Sequence, residues 1–178
     1  MTDYARLYWE RVNDPGLRQG DLLLETIVPL IDASVLRGES ELPLGIYNLA
    51  IISQSCDLTK ESRLAYVVTA PIYTRRQYEQ ANPAYKKSGV WEEVRKGRHE
   101  GLYLLASPGN EMGDDDPILV VEFGHVFSLP RDYLEEHVRT VRARWRLNSP
   151  YLEHFSQAFA KFYMRVGLPV ILPTKSPK

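Results

Sequence analysis

The stretch IYNLAIISQSCDL, Ile46 to Leu58, decides how the rest of the chain is read. Leu49, Ala50, Ile51 and Ile52 form an unbroken apolar run, the composition of a strand buried on both faces. Ser53, Gln54, Ser55, Cys56 and Asp57 follow at once, placing polar or reactive groups at the mouth of a core strand. Rigid scaffolds present chemistry at such positions. A second apolar run, Leu64 to Ile72, lies one short polar link away, with Thr59 to Arg63 as the connection. The two runs are expected to pair and form the middle of the fold.

Upstream, Tyr4, Leu7, Tyr8, Arg11 and Val12 recur at helical spacing. A short amphipathic helix is expected over Asp3 to Val12, stopped by Asn13-Asp14-Pro15-Gly16. Leu22 to Val28 reads as a strand ended by Pro29, and Asp32 to Leu44 as an exposed loop. Downstream, Arg75 to Ala81 and Ala84 to Lys96 read as helical pieces broken at Asn82-Pro83. Gly101 to Ala106 and Ile118 to Phe127 are the next expected strands, the latter with a bulge at Gly124. Arg131 to Val138 reads as a helix. The last helix carries Tyr151, Phe155, Phe159, Phe162 and Val166 along one side, a core stripe. Ser149 is its expected N-cap and Pro150 its first residue, with Gly167 and Pro169 ending it.

With 178 residues the chain suits one domain, 1–178, with a real core. With a hydrophobic content of 44%, a charged content of 25% and a net charge of -1, nothing global points to attraction to nucleic acid or membrane, which leaves room for a local basic patch. One cysteine cannot form an internal disulfide, and no apolar run approaches the roughly 20 residues that span a bilayer. The N-terminus is charged and lacks a signal core. The expected setting is therefore cytoplasmic, with no membrane partner. The expected fold class is α+β: a small, mostly antiparallel barrel or curved sheet decorated by helices, with the long C-terminal amphipathic helix across it. Residues 17–127 form the core of that barrel with a helical insertion at 75–98, and residues 128–170 form a C-terminal helical region.

Gln19-Gly20-Asp21-Leu22, Pro29, Ile51-Ile52-Ser53 and Ala70-Pro71-Ile72 occur in the order found in the MazF/PemK toxins, and residues 17–74 resemble that family. The resemblance implies an SH3-like, PemK-like barrel and a relation to endoribonucleases that cut single-stranded RNA. Tyr73 stands where the family often has Thr, with Thr74 one step later. The family's catalytic Arg, in an Arg-Pro pair before the second strand, has no counterpart in Gly45-Ile46-Tyr47-Asn48-Leu49. The chain from Gly101 onward is not part of the toxin pattern.

Candidate chemistry starts with Cys56 and Asp57. A nucleophilic thiol needs a base, and His99, His125, His137 and His154 are all distant in sequence. The alternative reading makes Cys56 a packing residue and Asp57 a turn former. Ser53 and Gln54, with Asp57, can bond a ligand or partner backbone. Asp114-Asp115-Asp116 supplies oxygen ligands but lacks the spaced pattern of a calcium loop, so a solvated acidic turn is expected, with no metal and no cofactor. Arg139 to Arg146, with Trp145 inside, can contact RNA; on a helix, Arg142 and Arg146 would share a face. Its alternative is ion pairing with Glu135, Glu136 or Glu153 on a solvated surface.

Two functions follow. The first is a non-catalytic interaction or regulatory protein with a protein partner, an accessory factor of a prokaryotic stress or phage-defence locus by analogy to the toxins. The second is a diverged endoribonuclease acting on single-stranded RNA through Asp57, Thr74 and a distant Arg or His, with Cys56 as a further catalytic candidate. The missing Arg favours the first.

Overall fold

The computed structural model describes residues 3–38, 42–59, 64–109, 112, 115–141 and 143–164, the side chains of 3–5 excepted. In order, the elements are α1 (Asp3–Tyr8), β1 (Trp9–Val12), β2 (Asp21–Pro29), α2 (Ala33–Leu36), β3 (Leu44–Ile51), β4 (Tyr66–Thr74), α3 (Arg75–Ala81) and α4 (Val90–Arg95). They continue as β5 (Leu102–Ala106), β6 (Ile118–Glu122), β7 (Phe127–Pro130), α5 (Arg131–Val141), β8 (Arg144–Leu147) and α6 (Tyr151–Tyr163). Single 3-10 turns occupy Ser55–Leu58 and Pro83–Lys86. The class is α+β, and every strand pairing is antiparallel.

The strands run β1-β8-β2-β3-β4-β6-β5, with β7 also on β4. The expected pairing of the two central runs is observed: Leu49, Ala50 and Ile51 face Pro71, Ala70 and Thr69. Pro71 has no N–H to give, and it sits where that is tolerated, opposite Leu49 and away from the Ala50–Ala70 exchange. The two cores show why the run has no polar interruption. Ala50 and Ile52 enter one core with Ile72, Trp145 and Phe155, beneath α6. Leu49 and Ile51 enter the other with Val67, Leu129, Leu134 and Val138, beneath α5. Burial on both faces of β3 follows from these two helical covers.

Closure into a barrel is not observed. β1 and β5 are the two ends of the sheet, and no ladder joins them among the described residues. The curl still brings them near each other, because the Trp9 indole Nε1–H donates to Ala106 O at 2.7 Å. This side-chain bond lies where a closed barrel would have backbone pairs.

Four further expectations change. The expected helix Asp3 to Val12 ends at Tyr8, and Trp9–Val12 becomes β1 against β8. Trp9 is 2% exposed, so its ring anchors the strand inward, an outcome that helical spacing alone does not reveal. The expected strand Ile118 to Phe127 is two strands on the same side of β4, broken by the turn at Phe123–Val126. The basic stretch is not helical beyond Val141: Arg144–Leu147 is a buried strand. Ser149 does not cap α6, which begins at Tyr151 with no side-chain cap; its Phe155, Phe159 and Phe162 pack on the first core as expected. Val166, Gly167 and Pro169 lie outside the described residues.

Candidate functional site

The polar rim after β3 is where the sequence places chemistry, and the structure uses most of it internally. Ser53 Oγ accepts the Val68 N–H at 2.9 Å, sealing the end of the β3–β4 pair. Ser55 Oγ accepts the Gln19 N–H at 3.2 Å. The buried Gln19 amide donates to Ile52 O at 2.8 Å and to Ser156 Oγ of α6 at 3.3 Å. Exposed Gln54 reaches the same hydroxyl at 3.5 Å. This polar seam ties the turn, the loop before β2 and α6 together.

Cys56 and Asp57 are both exposed, with Sγ and Oδ1 3.8 Å apart. Among the described residues no histidine pairs with Cys56. His137 Nε2 lies 2.9 Å from Leu24 O, His125 packs on Phe127, and His99 on Tyr85. Thr74 is fully buried and forms a capping box at the start of α3: its Oγ1 accepts the Gln77 N–H, and Gln77 Oε1 accepts the Thr74 N–H. Thr69 pairs with Ile51 at the end of β3 nearest Asp57, and Thr74 lies five residues farther along β4. At about 3.3 Å per residue the offset is roughly 16 Å before the turn to Asp57 is added. Asp57 and Thr74 therefore stand at opposite ends of the pair.

The expected solvated pairing of the basic stretch holds for Arg139, which bonds Glu136 at 2.8 Å. It is corrected for Arg144 and Arg146. Both are buried, with Asp21 between them: Arg144 Nε donates to Asp21 Oδ2 at 2.8 Å, and Arg146 Nε donates to Oδ1. Asp14 takes Arg146 Nη1 at 3.0 Å, and Gly16 O accepts from both guanidiniums. Burial pushes the Asp14 carboxyl up, but the Arg146 hydrogen bond and the charges of Arg146 and Arg144 outweigh it and hold Asp14 below its ordinary value. Trp145, between the two arginines, is 6% exposed with Arg11 over its ring at 5.4 Å. Trp145 and Arg146 are thus core residues, and Arg142 lies outside the described residues. The signal available in sequence was Gly20-Asp21, an aspartate opening a strand, but its partners are 123 and 125 positions away.

The acidic turn is also tied in. Asp116 is buried, pairs with Arg75 at 3.4 Å and accepts the Ile118 and Arg76 N–H groups; Asp115 pairs with Arg76 at 3.3 Å. Among the described residues no group of three His, Cys, Asp or Glu residues is placed to hold a metal.

What remains open is one face of an arm that the sequence did not signal; its other face packs on α5, with Thr26 and Val28 buried and the Tyr133 hydroxyl donating to Ile27 O at 2.7 Å. β2 pairs with β8 only at Asp21 and Leu22, and β3 pairs with β4 only from Leu49 to Ile51. Beyond those positions β2 and β3 continue together, Thr26–Pro29 against Leu44–Tyr47, as a two-stranded ribbon. A bulge between Leu23 and Thr26 marks its root, and Glu25 there has φ +50°, in the left-handed region. The Asn48 side-chain oxygen accepts the Glu25 N–H at 2.9 Å and holds that turn. A hollow flanks each side of the root, and both include Glu25. One, about 380 Å³, is lined by Ile46, Tyr47, Asn48, Ile72, Tyr73 and Gln77 among others. The other, about 640 Å³, is lined by Arg11, Leu24, His137, Thr140 and Trp145 among others.

Comparison with family models, curated proteins and solved structures finds no match.

The arm's surface is apolar. Ile27 and Ile46 lie directly opposite each other on the ladder, 49% and 71% exposed. Leu44, two residues from Ile46 and so on the same face, is 65% exposed. Ile31, Leu36 and Leu42 are exposed in the connection between the two strands. Among the described residues no helix is long and apolar enough to cross a membrane.

Proposed function

We propose that this chain acts by binding another protein rather than by catalysis, and that the β2–β3 arm is the contact. The observation that carries this reading is the exposed pair Ile27–Ile46 with Leu44 beside it. Aliphatic side chains gathered on one ribbon face mark an interaction surface, since single exposed residues are ordinary but clusters are not. The residues expected to perform chemistry support the same reading. Thr74 is used as a helix cap, Asp57 lies at the other end of the strand pair, and among the described residues Cys56 has Asp57, not a histidine, beside its sulfur. RNA hydrolysis needs a base and a cation near one phosphate, and these groups do not supply them together. By analogy with the MazF/PemK toxins, which residues 17–74 resemble in sequence, we extend the proposal to an accessory factor of a prokaryotic stress or phage-defence system.

The test uses the full chain carrying an affinity tag, compared with the double variant Ile27→Asp/Ile46→Asp. A stoichiometric protein partner held by the parent and lost by the variant, with an unchanged circular dichroism spectrum, is the expected result. Retention by the variant overturns the arm as contact. Single-stranded RNA incubated with excess protein stays intact; specific cleavage would restore the endoribonuclease reading.

A further inference from the structure

β3 carries hydrogen-bonding capacity that its own sheet does not use. Main-chain groups of alternate residues in a strand point to opposite sides. The Ile52 N–H donates to Val68 O at 2.8 Å, toward β4, while Ile51 O accepts the Gly20 N–H at 2.9 Å on the β2 side. A period of two then directs the main-chain groups of Ala50, Asn48 and Ile46 toward β4. Ala50 finds Ala70 there. In the same register Asn48 would meet Ile72 and Ile46 would meet Thr74, but the ladder stops at Leu49 and Pro71. Thr74 N–H is taken by Gln77 instead, at 2.9 Å. The 380 Å³ hollow lies at this parting, lined by Ile46, Asn48 and Ile72. It is a notch in a sheet with one edge of β3 facing into it.

The notch is acidic. Glu25 is the charged residue of its lining. Glu122 stands near enough to Tyr73 to add, after burial, to the upward shift of that phenol. Among the described residues no lysine or arginine lines the notch.

We propose that an extended segment of the protein partner adds to the free edge of β3 at Ile46 and Asn48, with β-branched apolar residues alternating with basic ones. Main-chain bonds to the edge supply affinity, the exposed apolar face of the arm receives alternate side chains, and Glu25 with Glu122 selects the basic ones. This rests on the arm being the contact surface proposed above.

The probe is a displayed library of random nine-residue peptides, selected against the full chain and resynthesised for fluorescence anisotropy. Selected peptides alternate Val, Ile or Thr with Lys or Arg. Ile46→Pro removes an outward N–H while leaving the β2 ladder intact, so it weakens binding by about tenfold, the worth of one ladder bond. Methylating the peptide's amides on one edge weakens binding to the unmodified protein in the same way, and methylating the other edge does not. Binding unchanged by Ile46→Pro and by methylation, yet lost in Ile27→Asp, overturns strand addition and leaves the arm as contact. Binding unchanged in all three overturns both. Selection of acidic peptides, or of none, also overturns strand addition.

Discussion

Asp21→Ala is expected to destabilise the protein more than any single surface change, and the structure sets the size. Asp21 is 0% exposed and receives Arg144 Nε at 2.8 Å, Arg146 Nη2 at 3.1 Å, Arg146 Nε, and the Arg18 N–H at 2.9 Å. With Asp14 it balances two guanidiniums whose side chains are 2% and 7% exposed. Removing Asp21 leaves two buried cations facing one half-exposed carboxylate. Breaking a buried pair from one side costs about 3–5 kcal/mol, and the retained bonds from Arg144 to Asp14 O and from both arginines to Gly16 O place this case near the lower end. Against a total of about 5–15 kcal/mol that is a large share. With a urea slope of about 2 kcal/mol/M, the midpoint falls by about 1.5–2 M. Tryptophan fluorescence, to which Trp145 between the two arginines contributes beside Trp9 and Trp91, and circular dichroism both report the transition. Asp14→Ala, at a carboxylate 42% exposed, serves as the milder comparison. A midpoint for Asp21→Ala within about 0.5 M of the parent would refute the view that this cluster clamps β2 to β8.

Asp14 is held below its ordinary value, so its ion pairs add stability that is complete above the unfolded carboxylate range of about 4 and is lost as pH falls through the lower folded value. Urea midpoints measured from pH 6 to pH 2 should decline, and Asp14→Asn should flatten that decline. At the arm's root, Glu25→Gly should keep stability within about 0.5 kcal/mol because φ +50° is free for glycine, whereas Glu25→Val should lose about 1–2 kcal/mol. Thermal unfolding distinguishes the two. Gly101→Ala combines φ +88° with a new Cβ 2.9 Å from Phe162, and should lower stability by about 1–3 kcal/mol through displacement of α6. Cys56→Ser should change stability by less than about 0.5 kcal/mol, and the parent thiol should react with a maleimide in the folded state; protection would place Cys56 in an interface.

The amino-acid pattern alone determined the centre of this protein. An apolar run of four with no alternation, followed by a short polar link and a second run, specifies adjacent strands covered on both faces, and β3 and β4 with α5 and α6 above and below are that arrangement. The break at Asn82-Pro83 and the Phe155–Phe159–Phe162 stripe were legible because they act through neighbours a few residues away, whereas the expected Ser149 cap was not formed. Only tertiary structure decided the rest. Trp9 to Val12 reads equally well as a helix turn until β8 offers an edge, and Arg144 and Arg146 read as surface charge until Asp21 meets them from 123 and 125 positions away. The open sheet and the departing β2–β3 arm depend on where ladders stop, at Leu22 and at Leu49. A strand's end is set by the competition of distant backbone partners for the same edge, and local sequence does not encode who those partners are.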